Sequence, residues 1–557
     1  MKEFIVSKSF IFLLLIVIFA GILRFYKIGS NPPSLTWDET AWGYNAYSIG
    51  MDGKDEFGRF LPITYLESFG DYKPPVYVYL DVIPVKFFGL NEFSTRFPSA
   101  LFGTLTVFLT YFLVKRIFRG KTEDSNNQIE NLALVASFIL AISPWHIMLS
   151  RAAFEANVAT FFLAAGIWAF LASIQDRRWY LIISAVSFVL SMYTFNTSRV
   201  FAPMIVVILA LVFWKRLIKT KKEAIISAII GFILFIPLFF FLLTPQAKTR
   251  FNEVNIFTNP DIVKTANQEI ANDKGAIWSK VIHNRRVLFG IEYMVHYFDN
   301  LSPLFLFTRG DGNPKFSVQS VGQMYIWEVI FFAGGAFFLF RKREGAWWII
   351  PVWFLLGIIP AATARETPHA LRIETTLPTF QILTAYGLVS LFAVISNFKQ
   401  KILTFQFKHL IFGVIALFAI FNLAYFIHEY YDQYPYEYSA EWQYGYKDSI
   451  EYVKSVQQNY DYINITSNLG RPYIYYLFYT KTAPQDFRES AKISRDTFGF
   501  VTVKSFDKYR FPDRFDYGND NGKRVLYIGT IYDVPKQAKV LKTFRLLDGS
   551  PILVAYE

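Results

Sequence analysis

RFPSALFGTLTVFLTYFLVKRIF, residues Arg96–Phe118, starts on an arginine, runs apolar for most of its length and closes on Lys115-Arg116 before its last two residues. A helix that crosses the hydrocarbon core needs roughly 20 mostly apolar residues, and the window 98–115 supplies such a run. Basic residues collect on the cytoplasmic side of membrane helices. The Lys-Arg end therefore reads as inner and the Arg96 end as outer.

Composition extends that reading to the whole chain. Of 557 residues, 53% are hydrophobic and only 18% charged, against about 25% charged in a soluble domain. Comparable windows recur near 9–27, 131–148, 156–174, 180–195, 200–216, 223–243, 321–340, 346–362, 374–396 and 407–428, about 11 in all with the first. The fold class expected is a polytopic α-helical membrane protein. The net charge of +12 suggests nucleic acid at first sight, but its placement excludes that partner. Basic runs fill the loops Lys115–Glu130, Ile174–Tyr180, Lys215–Lys222, Arg341–Gly345 and Asn397–Lys408, whereas the alternate short loops hold only Arg151, Arg199, Arg365 and Arg372. That asymmetry puts the N-terminus inside. The first apolar stretch, after a short basic start and without a clear cleavage site, reads as a retained signal anchor. Cysteine is absent, which removes disulfides, a thiolate nucleophile and Cys-ligated metal.

Three large pieces then lie outside: residues 28–97, residues 244–320, and a C-terminal region at 429–557. The division expected is a membrane domain over 1–428 and an extracytoplasmic α/β domain over 429–557. In the latter, DSIEYVKSVQQ has helical periodicity, and YINITS and RVLYIGTIYDV are strand-like. In the first outer piece, TAWGYNAYSIG and FLPITYLES read as short amphipathic helices on the membrane. The run Val76–Leu90, broken by Asp81, Pro84 and Lys86, reads as an interfacial helix.

The chemistry centres on TWDET, where Asp38 and Glu39 follow the first apolar segment. Ionisable groups at a membrane boundary are functional candidates. Acids in a first helical turn also complement the helix dipole, so capping and catalysis weigh evenly here, and Thr36 or Glu39 is the cap. Lys73, Arg96, Arg151, Arg199, Arg365 and Arg372 all fall at outer helix ends. For any single one, snorkelling to headgroups is the plainer reading. Several around one cavity would suit transfer from a phosphorylated donor: a carboxylate takes the proton of an acceptor hydroxyl, and cations stabilise the departing phosphate. The chain carries neither a P-loop GxxxxGK motif nor a GxGxxG dinucleotide motif.

The order of first helix, WDE, a long loop with YKPPVYVYL and then RFPSALFGTLTVFLTYFLVKRIF resembles the GT-C membrane glycosyltransferases. The resemblance is to the protein O-mannosyltransferase and aminoarabinose transferase branch, glycosyltransferase family 39, and extends through HIMLSRAAFEAN, YTFNTSRVFAP and HALRIETTLP. It implies inverting transfer of one sugar, mannose-like or related, from a polyprenyl-phosphate donor to an acceptor hydroxyl of a protein, lipid or glycan on the outer face of the plasma (inner) membrane. It implies Asp38 as base or acceptor-orienting group, Glu39 as its partner in the pair, and Lys73 on the lipid phosphate. Asp71 lies near the branch's metal-binding acid but one residue out of register.

Arg96, Arg151, Arg199 and Arg372 are the further candidates for donor phosphate. Tyr72, His146, His369 and Asp311 are candidates for substrate contact. No cofactor is required by the residues, and a divalent metal is compatible with Asp71, Glu292 and His296. The last two are four residues apart and share one helix face, with His283 and Asp299 nearby, although interfacial polar residues are the plainer reading. TRGDGNPKF reads as a turn and as a candidate substrate lid. Two other classes compete: a transporter or flippase, and a glycan ligase or polymerase for lipid-linked saccharides. A transporter calls for internal repeats and charged, broken helices at mid-membrane, and no repeat is evident.

Overall fold

A computed structural model describes residues 7–119, 123–396, 401–495, 501–519 and 522–557. The basic loops Lys115–Glu130 and Asn397–Lys408 lie partly outside these residues. The chain divides into two compact units: one of Met1–Arg24, Phe102–Ser150 and Glu155–Phe426, the other of Phe25–Leu101, Arg151–Phe154 and Ile427–Glu557.

Every window expected to cross the membrane contains helix. Among the described residues, five helices are long and apolar enough to cross: Lys8–Phe25, Glu92–Ile117, Glu155–Gln175, Lys221–Leu242 and His409–Glu437. The pair Asn126–Ile142 and Pro144–Arg151, bent by 55°, brings the number to six. Four more apolar helices are shorter: Tyr180–Met192, Ser198–Val212, Ile349–Thr363 and Thr379–Ile395. The window 321–340 is occupied by Glu328–Lys342, which begins later because the preceding residues form irregular chain. Length alone therefore does not reach eleven full spans. The chain is a polytopic α-helical membrane protein all the same.

Within the first unit, burial separates inner from outer helices. Glu155–Gln175 is 72% buried across its apolar window, whereas Lys221–Leu242 is 17% buried. An apolar helix left uncovered by protein is at home only where lipid is the solvent. The helices Glu328–Lys342 and Thr379–Ser396 approach until their backbones touch. A Cβ added at Gly335 would run into the Leu383 carbonyl, and one at Gly387 into that of Phe331. Glycine at such crossings is the small-residue packing of membrane bundles.

The 55° bend has a local cause. Pro144 has no N–H and cannot continue the ladder of the helix before it, so the last carbonyls of that helix need other donors. Arg24, fully buried, donates to Leu140 O at 3.2 Å and Ala141 O at 3.1 Å. Tyr325 Oη donates to Ile142 O at 2.8 Å.

The second unit contains residues 28–97, the first piece expected outside, and the C-terminal sheet. Helix Trp37–Asp52 is followed by a hairpin of β1 (Leu66–Ser68) and β2 (Asp71–Lys73), then helix Val76–Phe88. Helix Trp37–Asp52 buries almost every residue from Glu39 to Ile49, so it is a core helix rather than a surface one. Residues 60–68 form no helix; they enter β1. Val76–Phe88 is helical as expected and leaves Ile83, Phe87 and Phe88 exposed.

The C-terminal sheet has seven strands in the order β4-β5-β6-β3-β7-β9-β8. These are β3 (Tyr462–Ile465), β4 (Lys492–Arg495), β5 (Val501–Phe506), β6 (Tyr509–Arg510), β7 (Val525–Gly529), β8 (Val540–Arg545) and β9 (Pro551–Tyr556). β3 pairs in parallel with β6 and β7, and the other pairs are antiparallel. The two strand-like segments and the helical segment named from sequence become β3, β7 and helix Tyr446–Val456. The helix Pro472–Thr480 buries Pro472 through Phe478.

Candidate active site

Thr36 is the N-cap of helix Trp37–Asp52. Its hydroxyl accepts from Glu39 N at 3.3 Å, and Glu39 Oε2 accepts from Thr36 N at 3.0 Å, a reciprocal capping box. This uses Glu39 from the inside of the helix turn. Its carboxylate, 1% exposed, also accepts from Ala153 N at 2.9 Å and from Arg96 Nε at 2.8 Å and Nη2 at 3.3 Å.

Asp38 has the opposite surroundings. Its side chain is 52% exposed, and it forms an ion pair with Lys73. Lys73 is 9% exposed and lies over two aromatic faces, 4.9 Å from the Trp42 ring centre and 5.4 Å from that of Phe69. The hairpin fixes this: β2 ends on Lys73, paired with Leu66, and Pro74-Pro75 bring the chain into the next helix. An aromatic floor attracts an ammonium through the ring quadrupole and holds it up to the acid.

Two of the four arginines expected on a phosphate, Arg96 and Arg151, bond to protein. Arg96, wholly buried, donates through Nη1 to Ile28 O (3.0 Å) and Pro32 O (2.8 Å), and through Nη2 to Ser34 O (2.5 Å), besides its bonds to Glu39. A guanidinium has five N–H donors, and Arg96 spends all of them on protein. Arg151, also wholly buried, donates from Nη2 to Tyr26 O (2.7 Å) and Asn31 O (2.9 Å), and from Nε to Tyr430 Oη (3.2 Å). Both hold the segment between the first helix and the acid pair.

Tyr72, beside Lys73, packs edge-on to Tyr65 with centroids 5.0 Å apart, and burial followed by the charge of Glu67 pushes its phenol up. Asp71 Oδ1 accepts from Tyr72 N at 2.8 Å.

The remaining candidates belong to the first unit. His146 is wholly buried with Nδ1 2.6 Å from Arg24 Nη2, part of the bend at Pro144. Arg199 Nε donates to Met192 O at 3.3 Å, with its guanidinium 5.6 Å from the Phe241 ring centre. Arg372 Nη1 donates to Glu366 O at 2.8 Å. Asp311 is buried in the turn read as a lid and accepts from Asn313 N (2.8 Å) and Ala370 N (2.6 Å). Burial pushes its carboxyl up to about 6, against the pull of those two N–H groups. His369 lies with Nδ1 3.9 Å from Asp311 Oδ2 and stacks near Phe316, centroids 4.8 Å apart.

His296 and Glu292 are hydrogen-bonded to each other at 3.1 Å, and His296 Nδ1 lies 2.7 Å from Ala364 O. His283 contacts Glu269 at 2.6 Å instead of joining them. Among the described residues, no three His, Asp or Glu side chains gather in a group able to hold a metal ion.

One carboxyl escaped sequence reading. Glu56 is fully buried and accepts from Asn45 Nδ2 (3.3 Å), Ser68 Oγ (3.1 Å) and Tyr473 Oη (3.3 Å). Asn45 is on the helix that carries Asp38, and Ser68 is on the strand paired with the one that ends at Lys73. Burial pushes Glu56 up to about 8. Its three partners lie 11, 12 and 417 residues away, so no local pattern announces it.

Residues 72–241 match the family model described as dolichyl-phosphate-mannose-protein mannosyltransferase. The fold as a whole is similar to the crystal structure of ArnT from Cupriavidus metallidurans bound to undecaprenyl phosphate, with TM-score 0.56 and 12% identity, covering 99% of this chain and 98% of that one. The chain has a GT-C fold.

Of three curated relatives that match over shorter stretches of this chain, two are more than 30% identical. An uncharacterized protein of Aquifex aeolicus (strain VF5) is 31% identical over 157 residues, 28% of each chain. The undecaprenyl phosphate-alpha-4-amino-4-deoxy-L-arabinose arabinosyl transferase of Wigglesworthia glossinidia brevipalpis is 32% identical over 127 residues, 22% of each chain. The matches thus span less than a third of those relatives' own lengths. The family segment opens at Tyr72, one residue before Lys73, and leaves Asp38 and Glu39 outside it.

Proposed function

We propose that the chain is an inverting glycosyltransferase that moves one mannose-like sugar from a polyprenyl-phosphate donor to an acceptor hydroxyl on the extracytoplasmic face. The observation that carries this reading is the Asp38–Lys73 pair, an exposed carboxylate against a largely buried ammonium. The family segment around Lys73 and the shared fold with a protein crystallised with undecaprenyl phosphate support the donor class.

In this mechanism the acceptor hydroxyl approaches Asp38, which takes its proton as the oxygen attacks the anomeric carbon. The new C–O bond forms opposite the leaving group, which inverts the centre. The old bond from carbon to phosphate oxygen breaks, its electron pair goes to the phosphate, and Lys73 faces the added charge. General-base assistance of this kind is worth about 10²–10⁴-fold. Glu39 and Arg96 touch neither substrate; they hold the turn that presents Asp38.

Eleven helices cross the membrane in this reading, with the N-terminus cytoplasmic. Residues 429–557 then stand on the extracytoplasmic side as a domain available to an acceptor. The test is sugar transfer by the full chain in nanodiscs from a polyprenyl-phosphate mannose. Asp38→Asn should keep donor binding and lose transfer at least about 10²-fold. Full-rate transfer by that variant would remove Asp38 from the reaction.

A further inference from the structure

The second outer piece carries an apolar surface that the site above does not use. Helix Arg285–Asp299 exposes Val287, Ile291, Met294, Val295 and Phe298, between 42% and 59% each. At helical spacing these positions form one stripe about 100° wide. They line a shallow groove of about 590 Å³ along the helix. The short helix before it, Ile277–Ile282, exposes Ile277, Trp278, Val281 and Ile282 as well. Contiguous apolar surface of this kind marks a binding or membrane face.

The opposite side of helix Arg285–Asp299 shows where it lies. Tyr297 Oη donates to Leu355 O at 2.9 Å and Tyr293 Oη to Ile359 O at 3.3 Å. His296 Nδ1 meets Ala364 O at 2.7 Å. Leu355 and Ile359 belong to the apolar helix Ile349–Thr363. A surface helix bound there lies beside the last turns of an apolar membrane helix, with its uncovered stripe directed away from that helix. Lys280, in the last turn of the short helix, and Arg285 and Arg286, at the start of helix Arg285–Asp299, are exposed. Cations flanking an apolar stripe are the pattern of helices that lie in a bilayer interface, where they meet anionic headgroups.

We propose that Ile277–Ile282 and Arg285–Asp299 lie in the adjoining leaflet of a phospholipid bilayer, with the stripe among acyl chains and the three cations at lipid phosphates. Continuity with the apolar helix and charge complementarity both select lipid over a protein partner for this face.

The chain has no cysteine, so single cysteines can be spin-labelled in the otherwise unchanged protein. The experiment places Ile291→Cys, Val295→Cys and, as a control on helix Pro260–Asn272, Asn267→Cys in phosphatidylethanolamine–phosphatidylglycerol nanodiscs. Labels at 291 and 295 should collide more with oxygen than with a water-soluble nickel chelate, and the label at 267 should show the reverse. Nickel dominance at 291 and 295 overturns the proposal, because the stripe then faces water. Protection from both reagents overturns it too, since a protein surface then covers the stripe. Two labelled sites guard against local damage at either one.

Discussion

Glu39 and Arg96 are joined by two charge-assisted hydrogen bonds, and neither side chain is more than 1% exposed. Removing one partner of a buried pair leaves an uncompensated charge, at about 3–5 kcal/mol. Arg96→Ala and Glu39→Ala should each lower the thermal unfolding midpoint of the detergent-solubilised full chain, and the double variant should cost less than the sum. Strictly additive losses would show that the two residues do not act as a unit.

Lys73 gives a kinetic prediction. Loss of a hydrogen bond to a charged group costs about 1.5–3 kcal/mol, which is roughly 10- to 100-fold in an equilibrium constant. Lys73→Ala should raise the KM for the polyprenyl-phosphate donor by about that factor and leave the acceptor KM nearly unchanged. Equal effects on both would place Lys73 away from the phosphate.

Glu56 gives a pH dependence. Its folded carboxyl is pushed up to about 8 by burial, while an unfolded Glu titrates near 4.3. Between these values the folded chain holds a proton that the unfolded chain has lost, so stability falls as pH rises from about 4.3 to about 8. Glu56→Gln keeps the shape and removes that proton. Its unfolding midpoint should decline less than the parent's over that window, and parallel curves would contradict the burial argument.

The helix contact at Gly335 sets two magnitudes against each other. Alanine gains about 1 kcal/mol of helix propensity over glycine, while overpacking costs about 1–3 kcal/mol. At Gly335 the added carbon would meet backbone, which cannot rotate away; at Gly334, on the same helix, it meets nothing within 4 Å. Gly335→Ala should destabilise the protein and Gly334→Ala should not. Thermal unfolding of the two variants side by side decides it.

The helices were legible in the sequence because bilayer solvation forces long apolar runs, and even the short window at 180–195 holds helix Tyr180–Met192. That TWDET and YKPP share one loop was legible too; that Asp38 and Lys73 form an ion pair was not. The fates of Arg96 and Arg151 were not. An arginine at an outer helix end looks the same whether it meets a phosphate or a carbonyl, and the carbonyls here belong to irregular chain with no pattern of its own. Helix Trp37–Asp52 reads from sequence as a surface element because its aromatics and small residues suit an interface as well as a core. Its burial depends in part on helix Pro472–Thr480, far along the chain. Glu56 was invisible for the same reason.

The segment from Tyr26 to Ser34 is held mainly by its backbone. Arg96 and Arg151 grip it by the carbonyl oxygens of Tyr26, Ile28, Asn31, Pro32 and Ser34. Every residue type has that oxygen, so the exposed side chains of the stretch, at Tyr26, Lys27 and Ser30, can change while the path of the chain is kept; Ile28, Asn31 and Ser34 are buried, and Asn31 Nδ2 donates to Tyr430 O at 2.9 Å. The arginines cannot drift in the same way: a lysine offers a point charge in place of a planar fork, and one ammonium does not span the carbonyls that one guanidinium joins. The path of the approach to the acid pair is thus written in two arginines elsewhere in the chain more than in the residues that follow it.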